Sequence, residues 1–98
     1  MRRLPIRPQA RVDLLEIWHY IAADRTSAAD LVMEELEAAI RRLLDVPGIG
    51  HRRADVRDKR YRFWTVFSFV IAYRYDEETL TVVRVLHGRR DIRALLAT

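Results

Sequence analysis

The residues best suited to chemistry lie near the end of this 98-residue chain, in the run Leu80 to Asp91, LTVVRVLHGRRD. It reads as a β-branched, apolar strand holding one arginine, Arg84, and leading into His87-Gly88 and the pair Arg89-Arg90. A guanidinium offers a planar fork of donors that fits carboxylate or phosphate, and an imidazole can carry a proton near neutral pH. The run therefore points to a surface that handles an anion or an acidic partner. The plainer alternative puts Arg84 on the solvent side of a half-covered sheet and leaves the rest as a charged turn.

A second cluster lies upstream. Residues 51–62 hold Arg52, Arg53, Arg57, Lys59, Arg60 and Arg62 against Asp55 and Asp58, and Tyr61, Phe63 and Trp64 lie among or just after them. Bases beside aromatics suit RNA, where guanidinium groups take phosphates and rings stack on unpaired bases. A solvated loop leading into a core strand gives the same composition. If Arg62, Arg84 and His87 met Tyr73 on one sheet face, they would resemble a ribonuclease site. Arginine would stabilise a pentacoordinate phosphate, and His or Tyr would move protons. The competing reading has these residues anchoring a partner's acidic tail or pairing with acids of the same domain. Strand parity weighs against convergence, because Arg84 and His87 point to opposite faces unless a bulge or the strand end intervenes.

Other chemistries are excluded. There is no cysteine, so no disulfide or thiolate metal site can form. Three isolated histidines, His19 among them, and scattered acids do not make a metal site. No glycine-rich phosphate loop or serine nucleophile motif occurs, so no cofactor is expected. No apolar run approaches the roughly 20 residues of a membrane span, and the first residues, MRRLPIRPQAR, lack a signal peptide's apolar stretch. Cytoplasmic residence is the expectation.

The net charge of +4 is unevenly spread. Residues 9–46 carry four arginines against eight acids, whereas residues 47–98 carry eleven bases against six acids. One small domain, residues 1–98, is expected to have an acidic half and a basic half.

The elements that must position these groups follow from periodicity. Leu4 to Arg7, bounded by Pro5 and Pro8, suits only an edge strand or an extended lead-in. Helical spacing of Val12, Leu15, Trp18 and Ala22 predicts a first helix from about Gln9 to Ala23. A second runs from about Ala28 to Asp45, with Ser27 as its N-cap and Val32, Leu36, Ala39, Ile40, Leu43 and Leu44 as its buried stripe. The short link makes the two antiparallel neighbours, and Pro47-Gly48-Ile49-Gly50 stops the second. Tyr61–Val66, Phe69–Tyr75 and Leu80–Leu86 read as three strands of a meander, and Asp91–Ala97 as one or two helical turns. Phe67-Ser68 is a tight link without the glycine such a turn prefers. The expected fold is α+β in two layers: an N-terminal edge strand and an antiparallel helical hairpin packed on a three-stranded antiparallel meander. The sheet's other face would be left open to a partner.

The order and spacing of several short pieces, taken together, form a further pattern. Ala10, Asp13-Leu14, Ile17-Trp18 and Tyr20-Ile21 give A-x-x-D-L-x-x-I-W-x-Y-I. Pro47, Gly50 and Arg52 follow, then Tyr61-Arg62, Val70-Ile71, Tyr73-Arg74 and the closing Arg84 to Asp91. From about Ile6 to Asp91 the chain resembles the ParE/RelE superfamily of bacterial type II toxin–antitoxin toxins, and its ParE-like branch above all. The resemblance implies the same fold and a toxin neutralised by a cognate acidic, ParD-like antitoxin in a hetero-oligomer. For ParE-like members it implies inhibition of DNA gyrase by binding, without turnover. For RelE-like members it implies cleavage of mRNA on the ribosome, here by Arg62, Arg84 and His87. A third alternative is a degenerate member that binds antitoxin but is no longer toxic. Direct contact with nucleic acid is expected only through the antitoxin or in the RelE-like case. The residues expected to meet antitoxin or target are Arg52, Arg53, Arg62, Tyr73, Arg84, His87, Arg89 and Arg90. The tail after Asp91 holds no Tyr or His to complete a proton-transfer site, and Phe67 stands where many members have a glycine.

Overall fold

The structure is a computed structural model that describes residues 2–97; Met1 and Thr98, the outer bounds of the expected domain, lie outside the described residues. Helix α1 spans Pro8–Ala22 and α2 spans Thr26–Asp45. Pro8 occupies the first turn of α1, where its missing N–H costs nothing. The amides of Asp24 and Arg25 both donate to the Ile21 carbonyl, so the chain re-enters a helix at Thr26. That tight link displaces the expected cap: Arg25, not Ser27, precedes the helix, and no side chain caps it. Asp30 instead accepts from the Trp18 indole at 3.0 Å, tying the two helices together. Along α2 the residues Ala29, Leu36, Ile40 and Leu43 are buried, the i, i+4, i+7 stripe of an amphipathic helix. No helix among the described residues is long and apolar enough to cross a membrane.

Strands β1 (Arg62–Val66), β2 (Phe69–Tyr75) and β3 (Leu80–His87) form an antiparallel sheet in the order β1-β2-β3. Val66 pairs with Phe69, so Phe67 and Ser68 alone make the turn. Such a turn demands positive φ, and Phe67 takes it, with φ 54°. For a residue with a Cβ this costs on the order of 1–2 kcal/mol. In β3 the register steps from Tyr73↔Val82 to Ala72↔Arg84, leaving Val83 as a bulge.

The alternation of the strands separates two cores. Ile71, Tyr73, Leu80, Val82 and Val85 face the helical hairpin and pack with Ala10, Leu36, Ile40 and Leu43. Phe63, Val70, Ala72 and Leu86 face the other way. The expectation of an open second face is corrected here. A short helix α3, Ile92–Leu96, folds back over it, and Ile92 and Val56 are buried against those four side chains. A purely apolar set such as Phe63, Val70 and Leu86 could not stay in water at low cost, so the tail and the 51–61 loop cover it. The Asp91 carboxylate caps α3 by accepting from the Ala94 amide at 3.1 Å.

The N-terminal segment is the extended lead-in rather than a continuous strand. It touches β3 through isolated parallel bridges, Arg3↔Thr79 and Ile6↔Val82. Pro5 contributes only its carbonyl, which accepts from the Val82 amide at 3.0 Å.

Candidate functional site

Arg84 sits opposite Ala72, so its side chain starts on the second face of the sheet. From there the guanidinium reaches around the outer edge of β3 to α1. Its Nε and Nη2 donate to the two carboxylate oxygens of Asp13 at 2.8 and 2.9 Å. Asp13 is buried and accepts a third bond from the Val85 amide at 3.0 Å. The carboxylate raises the Arg84 pKa, fixing it as a cation. Arg84 is thus committed within the domain and is not presented to a partner's acid.

Arg62 and Tyr73 are committed on the sheet's helix-facing side, one ladder position from Arg84. The Tyr73 ring is fully buried; its hydroxyl donates to the Pro47 carbonyl at 2.6 Å and accepts from the Gly50 amide at 2.9 Å. Burial pushes the Tyr73 hydroxyl's pKa up. Arg62 donates to the Gly50 carbonyl at 2.9 Å, and its guanidinium carbon lies 5.9 Å from the Tyr75 ring centroid. Together they clamp the short 3-10 turn Pro47–Ile49 that follows α2. Tyr73, expected at a binding surface, has no exposed atoms to offer one, because the turn needs its hydroxyl.

The basic 51–60 segment is partly self-neutralised. Arg53 pairs with Asp55 through two bonds of 3.1 Å, and Arg60 with Asp58 at 2.8 Å. The Arg60 guanidinium holds the Asp58 carboxyl down to about 2, and the Arg53 guanidinium holds Asp55 below the ordinary carboxylate value. Lys59 donates to the Val56 carbonyl at 2.9 Å. Arg52 and Arg57 stay exposed, outside any ion pair among the described residues.

His87, Arg89 and Arg90 have a different setting. His87 lies opposite Phe69, on the helix-facing side, with the two rings edge to face at 5.7 Å. Its Nδ1 accepts from the Arg89 amide at 3.1 Å, and its carbonyl accepts from the Arg90 amide at 2.9 Å. This exit turn is joined to the β1–β2 turn by the Gly88 amide, which donates to the Ser68 carbonyl at 2.8 Å. Between the joined turns and α1 runs a cleft of about 450 Å³, lined by Ile17, Tyr20, Ile21, Phe69, Val85, His87 and Arg90 with Asp13 and Glu16 on the helix side. Tyr20 is 76% exposed and Phe67 61%. Arg89 and Arg90 are exposed and form no ion pair among the described residues.

The three residues of the ribonuclease alternative do not converge. Arg62 and His87 share a face, but their ladder positions lie four residues apart, roughly 13 Å along the strands and two strands across. Arg84 starts on the opposite face, and the bulge at Val83 precedes it, leaving the parity between Arg84 and His87 unbroken. The structure gathers His87, Arg89 and Arg90 at one corner, adds Tyr20, Phe67 and Phe69, and takes Arg62, Tyr73 and Arg84 into the framework. Sequence reasoning placed Asp13 in a motif without giving it a partner. The available signal was an acid on the same helical stripe as the apolar Ala10 and Ile17, where only a base could accompany it.

A family model described as "ParE toxin of type II toxin-antitoxin system, parDE" matches residues 4–92. The chain belongs to the ParE toxin family. Toxin ParE1 of Mycobacterium tuberculosis is 37% identical over 93 residues, a stretch covering 92% of this chain and 93% of that protein. Among solved structures, the chromosomal ParDE toxin–antitoxin system from P. aeruginosa aligns with a TM-score of 0.72 at 20% identity, covering 89% of this chain and 96% of that one. The E. coli DinJ–YafQ complex aligns with a TM-score of 0.66 at 15% identity over the whole of both chains. The fold of two helices on a three-stranded antiparallel sheet is thus that of the ParE/RelE-like toxins. As a ParE family member, the chain is the toxin component of a type II toxin–antitoxin system. The Asp13–Arg84 pair joins two pieces of the ParE-like pattern read from the sequence, its first helix and its closing strand.

Proposed function

We propose that this ParE family toxin acts by binding, with DNA gyrase in the cytoplasm as its target, and that a cognate acidic ParD-like antitoxin neutralises it. The observation that carries a binding mode of action is the separation of Arg62, Arg84 and His87. Each is held at a different place, and two of the three spend their guanidinium groups inside the domain. Acid–base chemistry on a phosphodiester needs its groups within hydrogen-bond reach of one reacting centre. Binding needs only a surface, and the corner of Tyr20, Phe67, Arg89 and Arg90 supplies exposed aromatic and cationic groups of the kind that dominate protein interfaces. Gyrase as the target rests on the ParE-like character of the chain.

The deciding experiment adds the purified toxin to gyrase supercoiling reactions and, in parallel, to programmed ribosomes. Loss of supercoiling, relieved by the product of the adjacent reading frame, is the expected result. Cleaved mRNA with supercoiling intact would replace this reading by the ribonuclease one. Harmless induction of the toxin without its antitoxin would make it the degenerate member.

A further inference from the structure

Helix α1 has two stripes of apolar residues, and the core takes only one of them. Ala10 and Ile17 pack into the core beneath the hairpin. Leu14, Leu15 and Trp18 lie on the flank toward α2 and, with Arg11 and with Met33 of α2, line an open groove of about 460 Å³ on the hairpin surface. Leu15 is 61% exposed there. An apolar groove rimmed by charge is the mark of an interaction surface. Its two ends carry opposite charge. The bond from the Trp18 indole places Asp30 at one end. Arg11 lies seven residues back along α1, about 10 Å away by helical rise. It is exposed and joins no ion pair among the described residues. In the antiparallel hairpin Glu37 lies toward the Arg11 end, and it is paired with Arg41 at 3.8 Å. Leu15 stands between the two ends, four residues from Arg11 and three from Trp18.

We propose that this face of the hairpin joins two copies of the toxin as a two-fold dimer. A two-fold interface brings the same patch together from both copies, so that each end of the groove meets the opposite end of its mate. With the axis near Leu15 and Met33, Leu15 of each copy enters the facing groove, and Arg11 of each copy meets the Asp30 carboxylate of the other. A groove with like charges at its ends would repel its own copy; this one complements it. The same charges disfavour an acidic segment as occupant, because residues 9–46 carry four arginines against eight acids. The groove is small, which makes the association weak and concentration-dependent. The cleft lined by Glu16 and Tyr20 lies on the other flank of α1 and stays open in both copies. The dimer is therefore bivalent, and a target offering two sites is held more tightly than by one copy. The inference is independent of which target the toxin binds.

Sedimentation velocity of the free, full-length toxin over a concentration series tests it. The wild-type chain is expected to pass from monomer to dimer as concentration rises. Leu15→Glu would bury an unpaired charge in the facing groove and is expected to stay monomeric throughout. Arg11→Glu sets like charges against each other and is expected to weaken self-association by about tenfold or more. Asp30→Asn keeps an oxygen for the Trp18 indole while removing the charge, and is expected to weaken it in the same direction but by less. Leu31→Glu is the control: Leu31 is also exposed, but two positions from Met33 place it roughly 200° around α2, away from the groove. That variant is expected to dimerise like the wild type. All four positions are exposed, and unchanged far-UV circular dichroism verifies that each variant is folded. A wild-type toxin that is monomeric at every concentration would overturn the proposal. So would a dimer that survives both Leu15→Glu and Arg11→Glu, or one that Leu31→Glu weakens as much as Leu15→Glu does.

Discussion

One carboxylate, that of Asp13, serves both the guanidinium of Arg84 and the amide of Val85, and so finishes the outer edge of β3 where the N-terminal segment leaves off. The lead-in satisfies the edge as far as Val82, through Pro5 and Arg7. Beyond it α1 turns away, and an unpaired Val85 amide would otherwise invite a foreign strand. The bulge at Val83 re-aims the strand so that Arg84 can reach around the edge.

Removing one member of this arrangement should therefore cost more than an ordinary ion pair. Asp13→Ala strands a half-buried guanidinium and a buried amide at once, and should destabilise the fold by about 3–5 kcal/mol. Replacing both residues with apolar ones, as in Asp13→Leu with Arg84→Met, should recover part of that loss. Urea denaturation of the two singles and the double checks it. A cost for Asp13→Ala below about 1 kcal/mol, the level of an exposed pair, would show that the site is wet.

The Tyr73 clamp gives a pH dependence. Burial raises its hydroxyl pKa above the ordinary 10.0. A raised pKa means the folded state favours the neutral form, so this stability is full below about pH 10 and is lost as pH rises through the folded value. Tyr73→Phe should flatten the alkaline limb of the stability curve. It should also cost about 1–3 kcal/mol at neutral pH, since the buried Gly50 amide loses its acceptor. Thermal melts between pH 8 and 11 measure both effects, and an equally steep alkaline limb in the variant would refute the assignment.

Gly50 is constrained by the same hydroxyl. A Cβ built there would collide with the Tyr73 ring and its oxygen. Gly50→Ala should loosen the turn after α2, and Tyr73→Phe in the same chain should not rescue it fully, because ring carbons also stand 2.8 Å from that Cβ. Hydrogen exchange at the Gly50 and His51 amides reads the loosening directly. Protection unchanged from wild type would show that the ring can move aside.

The second core predicts that the tail is structural. Ile92 is buried against the cluster of Phe63, Val70 and Leu86, and Ile92→Ala should cost about 2–5 kcal/mol. Ending the chain at Asp91 should expose that face and increase binding of an apolar dye. A truncated chain as stable and as dye-inert as the full one would mean that α3 only rests on the sheet.

Much of this architecture was legible because periodicity reports burial. The two helices, the three strands and the final helical turns follow from spacing alone, and Pro5 and Pro8 announced a segment unable to form a full ladder. The second core was missed because Phe63, Val70, Ala72 and Leu86 alternate with the residues of the first. A strand with apolar residues on both faces says that both are covered but not by what. The roles of Arg62, Tyr73 and Arg84 were missed for a related reason. An arginine in a strand looks available until its acid is found, and Asp13 lies 71 positions from Arg84. The strand's exit at His87 was legible because a glycine and doubled charge mark it. Tyr20 reads only as part of the ParE-like pattern and Phe67 only as part of a turn, and periodicity gives the exposure of neither ring.

The contact of the lead-in with β3 also sets a clock for synthesis. Arg3 finds its ladder partners only once Thr79 and Leu80 have been made, and Asp13 has no counter-charge until Arg84 follows it by 71 residues. At roughly 5–20 residues per second, that wait is on the order of 4–14 s. During it the helical hairpin exists without the strand that gives its buried acid a partner. A ribosome making this toxin therefore carries an unfinished domain until β3 has been made.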